Sequence, residues 1–164
     1  MPDDDNLKRQ KMTRYLTEFP PQPPAKPCRL MTPDDYPTVA EVLFNAYHGT
    51  IDDELESLAD ALPEVQATMD GQYGPAIEPA CLVGVDETGR LVSAIIATVF
   101  LNEPLLAYIV TEPAYQNQGW ASALIEQAAQ AVVDNGGTLI NLACTEGNPA
   151  QTLYEHLGFQ VEDI

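Results

Sequence analysis

The stretch Leu105-Leu106-Ala107-Tyr108-Ile109-Val110-Thr111-Glu112-Pro113-Ala114-Tyr115-Gln116-Asn117-Gln118-Gly119-Trp120-Ala121-Ser122 decides the fold. It reads as strand, tight turn, helix. Leu105 to Val110 is a short apolar run containing Tyr, Ile and Val, and Pro113 cannot donate to a ladder, so the strand should stop near Thr111. Beyond Gly119, residues Ala121, Leu124, Ile125, Ala128 and Val132 recur at three- and four-residue spacing, which puts them on one face of a helix that Asn135-Gly136-Gly137 ends. A helix opening at a glycine turn presents unpaired N–H groups and the positive end of its dipole, a natural anion site. Two phosphate motifs fail here. No lysine stands in the turn, as a P-loop requires, and Gly119 is the only glycine between Gly89 and Gly136, so there is no G-x-G-x-x-G.

The residues that remain are Gln116-Asn117-Gln118-Gly119-Trp120-Ala121, preceded by Pro113-Ala114-Tyr115. They resemble the pyrophosphate-binding motif of the GNAT superfamily of acetyl-coenzyme A dependent N-acetyltransferases, Gln/Arg-x-x-Gly-x-Gly/Ala. Downstream, Asn148-Pro149-Ala150-Gln151-Thr152-Leu153-Tyr154-Glu155-His156-Leu157-Gly158-Phe159 is similar to the second half of that signature, with its Asn, Leu-Tyr and Gly-Phe. The two occur in the right order, with a helix and an apolar strand between them. The resemblance covers about residues 90–160; residues 29–90 fit by pattern only, and 1–25 not at all. It implies that acetyl-coenzyme A is the co-substrate. Contacts to it would come from the backbone of Ile109, Val110 and Thr111, from Gln116, Asn117, Gln118, Gly119, Trp120, Ala121 and Ser122 in the turn, and from Asn148. Tyr154 would be the general acid toward the sulfur. Asn148 stands six residues before Tyr154 where the family has seven, and its own residue type also suits a helix N-cap.

At 164 residues with 45% hydrophobic content the chain can bury one core, so one domain is expected. No apolar run is long enough for a bilayer, and the acidic start Met1-Pro2-Asp3-Asp4-Asp5 is unlike a signal peptide, which together predict a cytoplasmic protein without a membrane partner. Cys28, Cys81 and Cys144 are scattered, without C-x-x-C spacing, and the two histidines belong to no ligand cluster. No metal is expected. The formal net charge is −18, and the few basic residues are uneven: Lys8, Arg9, Lys11, Arg14, Lys26 and Arg29 precede residue 30, and Arg90 is the last. That argues against a nucleic-acid partner. It also means that a bound coenzyme would be held mostly by backbone N–H groups, its 3′-phosphate reaching solvent, the N-terminal basic residues or Arg90.

In chain order, residues 1–27 carry acids, then basic residues, then a proline-rich run, and predict a flexible N-terminal arm; residues 28–164 form the domain. Cys28 to Met31 reads as a first strand and Thr32-Pro33-Asp34-Asp35 as a capped helix start. A second acidic helix, led by Asp52-Asp53-Glu54 and interrupted near Pro63, follows. Strands at 80–85, 91–100 and 105–110 form a meander; a strand at 138–144, a short helix at 149–157 and a last strand from Phe159 complete the chain. The fold class is α+β, an α/β three-layer arrangement: a mixed, mostly antiparallel sheet with helices on both faces. The resemblance further implies that the strands at 105–111 and 138–144 part to admit the pantetheine arm, and that the first two helices line the acceptor side.

Acetyl transfer from a thioester to an amine needs a neutral amine, a stabilised oxyanion and a protonated leaving thiolate. Glu103 and Glu112 flank the central strand as base candidates, with Asp52, Asp53, Glu54 and His48 on the acceptor side; no motif singles one out, and a bound water could serve. The expected function is an N-acetyltransferase acting on a primary amine, small-molecule or peptide, by direct attack in a ternary complex. The alternative is a coenzyme A sensor or regulatory module that keeps the fold without the catalysis. The acidity suits a cationic acceptor and equally suits simple solubility. A homodimer is compatible with the sequence.

Overall fold

A computed structural model of the chain describes residues 9–17, 20, 23–50, 55 and 57–162. Seven strands form one sheet in the order β2-β3-β4-β5-β6-β1-β7, where β1 is Arg9–Tyr15, β2 Cys28–Leu30, β3 Leu82–Val85, β4 Leu91–Phe100, β5 Glu103–Thr111, β6 Leu139–Thr145 and β7 Gln160–Val161. Every pairing is antiparallel except β5 with β6. The helices are α1 (Tyr36–Tyr47), α2 (Leu58–Met69), α3 (Trp120–Asp134) and α4 (Ala150–His156).

The sheet is covered on both faces, as the three-layer pattern predicts. Val39, Val42 and Leu43 of α1 and Ala61 and Val65 of α2 pack on Cys81, Val83, Ala94, Ile96 and Val110. Leu124, Ile125, Ala128 and Val132 of α3 pack on the other face with Val92, Ile95, Leu106, Ile140 and Leu142. β3, β4 and β6 are nearly continuous apolar runs because they are buried from both sides.

The start of α1 is fixed by Asp35, whose carboxylate takes the Thr32 N–H at 2.8 Å and both guanidinium nitrogens of Arg29 at 2.7 and 2.8 Å. That turn is 3-10 over Pro33–Asp35 before α1 proper. The second helix differs from expectation: it begins at Ser57, capped by Asp60, and runs on through Pro63 without interruption. Pro63 lies on the exposed side of α2, so the missing donor is lost where water can satisfy the orphaned carbonyl. Asp52, Asp53 and Glu54 lie outside the described residues.

The larger correction concerns part of the flexible arm expected over residues 1–27, of which residues 1–8, 18–19 and 21–22 lie outside the described residues. Arg9–Tyr15 is instead a strand paired residue for residue with β6, from Arg9 opposite Thr145 to Tyr15 opposite Leu139. Met12 is fully buried in the α3-side core. Polar side chains hold the rest of β1. Arg14 pairs with Glu126 of α3 at 2.7 Å, Thr13 donates to Asn141 at 2.6 Å, and Lys11 meets Glu103 at 3.2 Å.

Candidate active site

β5 and β6 are paired only at Leu105 with Asn141 and Leu106 with Leu142. Beyond that rung the register of β5 against β4 shifts between Ile96 and Ala97, which leaves Ala107 as an extra residue. A bulge bends its strand and increases the local twist, and here it marks the point at which β5 and β6 part. β5 then continues to Thr111 bound to β4 alone. Peptide groups alternate in direction along a strand. Glu112 donates its N–H to Val92 O on β4, so Ile109 and Thr111 turn their peptide groups toward the open edge, and the Thr111 carbonyl there accepts Gln116 Nε2 at 3.2 Å. Val110, expected with them, instead faces β4, and its carbonyl also takes the Ser93 hydroxyl at 2.8 Å.

The open edge leads into the turn before α3. Pro113–Tyr115 is a 3-10 turn, Asn117 is left-handed at φ 63°, and Gly119 is left-handed at φ 91°. No side chain caps Gly119, and the first intrahelical bond is Ala123 N–H to Gly119 O. The N–H groups of Trp120, Ala121 and Ser122 therefore point out of the helix start. Gln116, Asn117, Gln118 and Gly119 are exposed. The side chain of Gln118 donates back to Ala114 O at 3.1 Å, so like Gln116 it braces the loop.

Trp120 is buried, not presented to a ligand. Its ring lies on Gly84 of β3, where a Cβ would come within 2.8 Å of the indole. A glycine inside a strand marks such a close approach. Tyr115 braces the turn from the other side. Its hydroxyl donates to Asp86 at 2.8 Å, and the Thr88 and Tyr115 hydroxyls together hold the Asp86 carboxyl down to about 2.

Two cations flank the turn. Lys26 Nζ stands 5.2 Å from the centre of the Trp120 ring, and the Arg90 guanidinium 5.9 Å from that of Tyr115. The sequence offers Arg90 and the N-terminal basic residues as alternatives to solvent for the 3′-phosphate; Lys26 is singled out among the latter only by the path of the chain. Lys11, Arg14 and Arg29 are engaged with acids elsewhere.

On β6 and beyond, Asn148 Oδ1 accepts the Ala150 N–H at 2.9 Å, so its carboxamide oxygen serves the start of α4. Tyr154 is half-buried against the α3-side core, its ring edge-to-face with Phe159 at 6.1 Å. Of the base candidates, Glu112 is buried with both carboxylate oxygens on Asn45 Nδ2, at 3.1 and 3.3 Å. Glu103 is tied to Asn141 and Lys11, whose hydrogen bonds hold its carboxyl below the usual carboxylate range. Among the described residues no three His, Cys, Asp or Glu side chains gather as a metal site, and no helix is long and apolar enough to cross a membrane.

Residues 78–161 match the model of the acetyltransferase (GNAT) domain. The chain is 30% identical over 120 residues to the [ribosomal protein bS18]-alanine N-acetyltransferase of Escherichia coli K12, covering 73% of this chain and 75% of that protein. Among solved structures, a GCN5-related N-acetyltransferase from Sphaerobacter thermophilus superimposes with a TM-score of 0.73 at 17% identity over 95% of this chain, which spans only 49% of that one. The PaiA N-acetyltransferase from Thermoplasma acidophilum, solved in complex with coenzyme A, superimposes with a TM-score of 0.66 at 18% identity, covering 84% of this chain and 91% of that one. The parted strands, the uncapped helix start and a family match over half of the sequence agree: this chain belongs to the GNAT superfamily of N-acetyltransferases.

Proposed function

We propose that the protein transfers the acetyl group of acetyl-coenzyme A to a primary amine, by direct attack in a ternary complex. The observation that carries the reading is the gap between β5 and β6 past Leu106, which runs directly into the uncapped start of α3. The residues fit an extended ligand ending in phosphates. Ile109 and Thr111 offer peptide groups for an added strand-like arm, the Trp120, Ala121 and Ser122 N–H groups receive the diphosphate, and Lys26 and Arg90 supply the charge that the turn itself lacks. When bound, the coenzyme supplies an acyl group activated as a thioester.

Tyr154 is the residue we assign to deliver a proton to the departing sulfur. With both oxygens of Glu112 on Asn45, and Glu103 tied to Lys11 and Asn141 at the far end of β5, water takes the proton of the incoming amine. The E. coli relative is named for an alanine of a ribosomal protein, which supports including peptide α-amines among the acceptors.

The test is thiol release from acetyl-coenzyme A against a panel of alkylamines and short peptides. Amine-dependent release is expected, and Tyr154→Phe should lower kcat by about 100-fold or more, as loss of a general acid does, with coenzyme A affinity unchanged. Tight coenzyme A binding in calorimetry with no release for any amine would leave a binding module instead of an enzyme.

A further inference from the structure

Glu64 of α2 carries a second polar group that no step above uses. Tyr108 OH donates to Glu64 Oε1 at 2.6 Å, and Tyr73 OH donates to the same oxygen at 3.1 Å. Among the described residues no hydrogen bond reaches Oε2, and no Lys or Arg pairs with the carboxylate. Burial and then acceptance by Glu64 push the Tyr108 hydroxyl far up, and burial followed by the nearby Glu64 charge raises Tyr73, so both phenols stay protonated donors. The rings of Tyr47 and Tyr73 lie 6.4 and 6.5 Å from that of Tyr108. All four side chains are half-buried, so solvent reaches them.

A carboxylate beside several aromatic rings is the chemistry that binds an organic cation. A merely structural partner for two hydroxyls would not need the charge, since a glutamine carbonyl accepts the same two bonds. The location adds the rest. Tyr108 is the second residue past the last β5–β6 rung and packs on the α1 and α2 side. If the thioester lies in that gap, as the proposed function has it, a whole tyrosine side chain separates Glu64 from the attacked carbon.

We infer that Glu64, with the faces of Tyr47, Tyr73 and Tyr108, holds a second cationic group of the acceptor, set several bonds away from the nitrogen that is acetylated. The substrate is then an amine with another positive charge, either a small diamine or a peptide with a basic side chain near its N-terminus. This rests on the coenzyme site proposed above and is tested separately from it.

The experiment compares kcat/KM for 1,5-diaminopentane against n-pentylamine, and for the dipeptide alanyl-lysine against alanyl-leucine, in wild type and Glu64→Gln. Calorimetry with coenzyme A is run on both proteins. The dicationic member of one pair should be preferred by about 10- to 100-fold, the range of a lost charge-assisted hydrogen bond; which pair shows it tells the diamine from the peptide. Glu64→Gln should erase the preference while leaving the n-pentylamine rate, the coenzyme A affinity and the melting temperature where they were. A wild type that binds coenzyme A yet shows no preference in either pair, or a variant that keeps it, overturns the inference and leaves the coenzyme site standing. A wild type that binds no coenzyme A overturns both.

Discussion

Replacing Gly119 by alanine tests the coenzyme turn at its most constrained point. Gly119 sits at φ 91°, a conformation an L side chain adopts only at a cost, and a Cβ there would meet nothing nearer than Lys26 Cε at 3.8 Å. The penalty is therefore backbone strain without a clash, about 1–2 kcal/mol. A domain of this size tolerates that, with a melting temperature lowered by roughly 2–8 °C. If the chain relieves the strain by moving φ, the N–H groups of Trp120, Ala121 and Ser122 turn away from a common centre. Losing one charge-assisted hydrogen bond of about 1.5–3 kcal/mol weakens coenzyme A binding by about 10- to 100-fold.

The control is Gly136→Ala, just past the C-terminal end of α3. Gly136 has φ 87° and nothing within 4 Å of its would-be Cβ, so it carries the same strain at the opposite end of the helix. Thermal melts should match for the two variants, while calorimetry with coenzyme A should show the loss only for Gly119→Ala. Equal melting temperatures and coenzyme affinities within twofold of wild type for both variants would refute the placement of the phosphates at this turn.

Lys26→Ala and Arg90→Ala should each raise the coenzyme A dissociation constant by about two- to fivefold, the worth of an exposed ion contact, and flatten its dependence on salt; titrations at two ionic strengths measure this. Met12→Ala should cost about 2–5 kcal/mol in urea unfolding because the side chain is fully buried; a flexible arm would give no change. Asp35→Asn should lower stability by about 1.5 kcal/mol at neutral pH, toward the low end for a charged hydrogen bond because Arg29 is half-exposed. The Arg29 hydrogen bonds hold the Asp35 carboxyl below its ordinary value. Its contribution is then complete above the ordinary carboxylate pKa and lost as pH falls through the lowered one, so the gap between wild type and variant should close in acid.

The meander, the turn and α3 were legible because each obeys a local rule: apolar runs for strands buried on two faces, three- and four-residue spacing for α3, glycine where φ must be positive. β1 was not legible. Its sequence Arg9-Gln10-Lys11-Met12-Thr13-Arg14-Tyr15 has one aliphatic side chain, so neither apolar alternation nor composition marks it as a strand. What makes it one is partners distant in sequence: Glu126 on α3, Asn141 on β6 and Glu103 on β5 receive its polar side chains. The Glu64 group was hidden for the same reason, since Tyr73, Tyr108 and Glu64 come from three separate segments and have no common motif.

The same long-range pairing explains how so acidic a chain can serve an anionic coenzyme. By count, the basic residues before residue 30 looked like a reservoir of charge for the phosphates. In the fold, Lys11, Arg14 and Arg29 neutralise Glu103, Glu126 and Asp35 and so hold β1, α3 and α1 in place. Lys26 and Arg90 lie against the aromatic rings that buttress the turn. Cations stacked on rings keep their charge without an opposing carboxylate, which leaves that charge available to a phosphate. The net charge of −18 therefore conceals two kinds of basic residue, those tied to carboxylates and those stacked on the rings behind the turn.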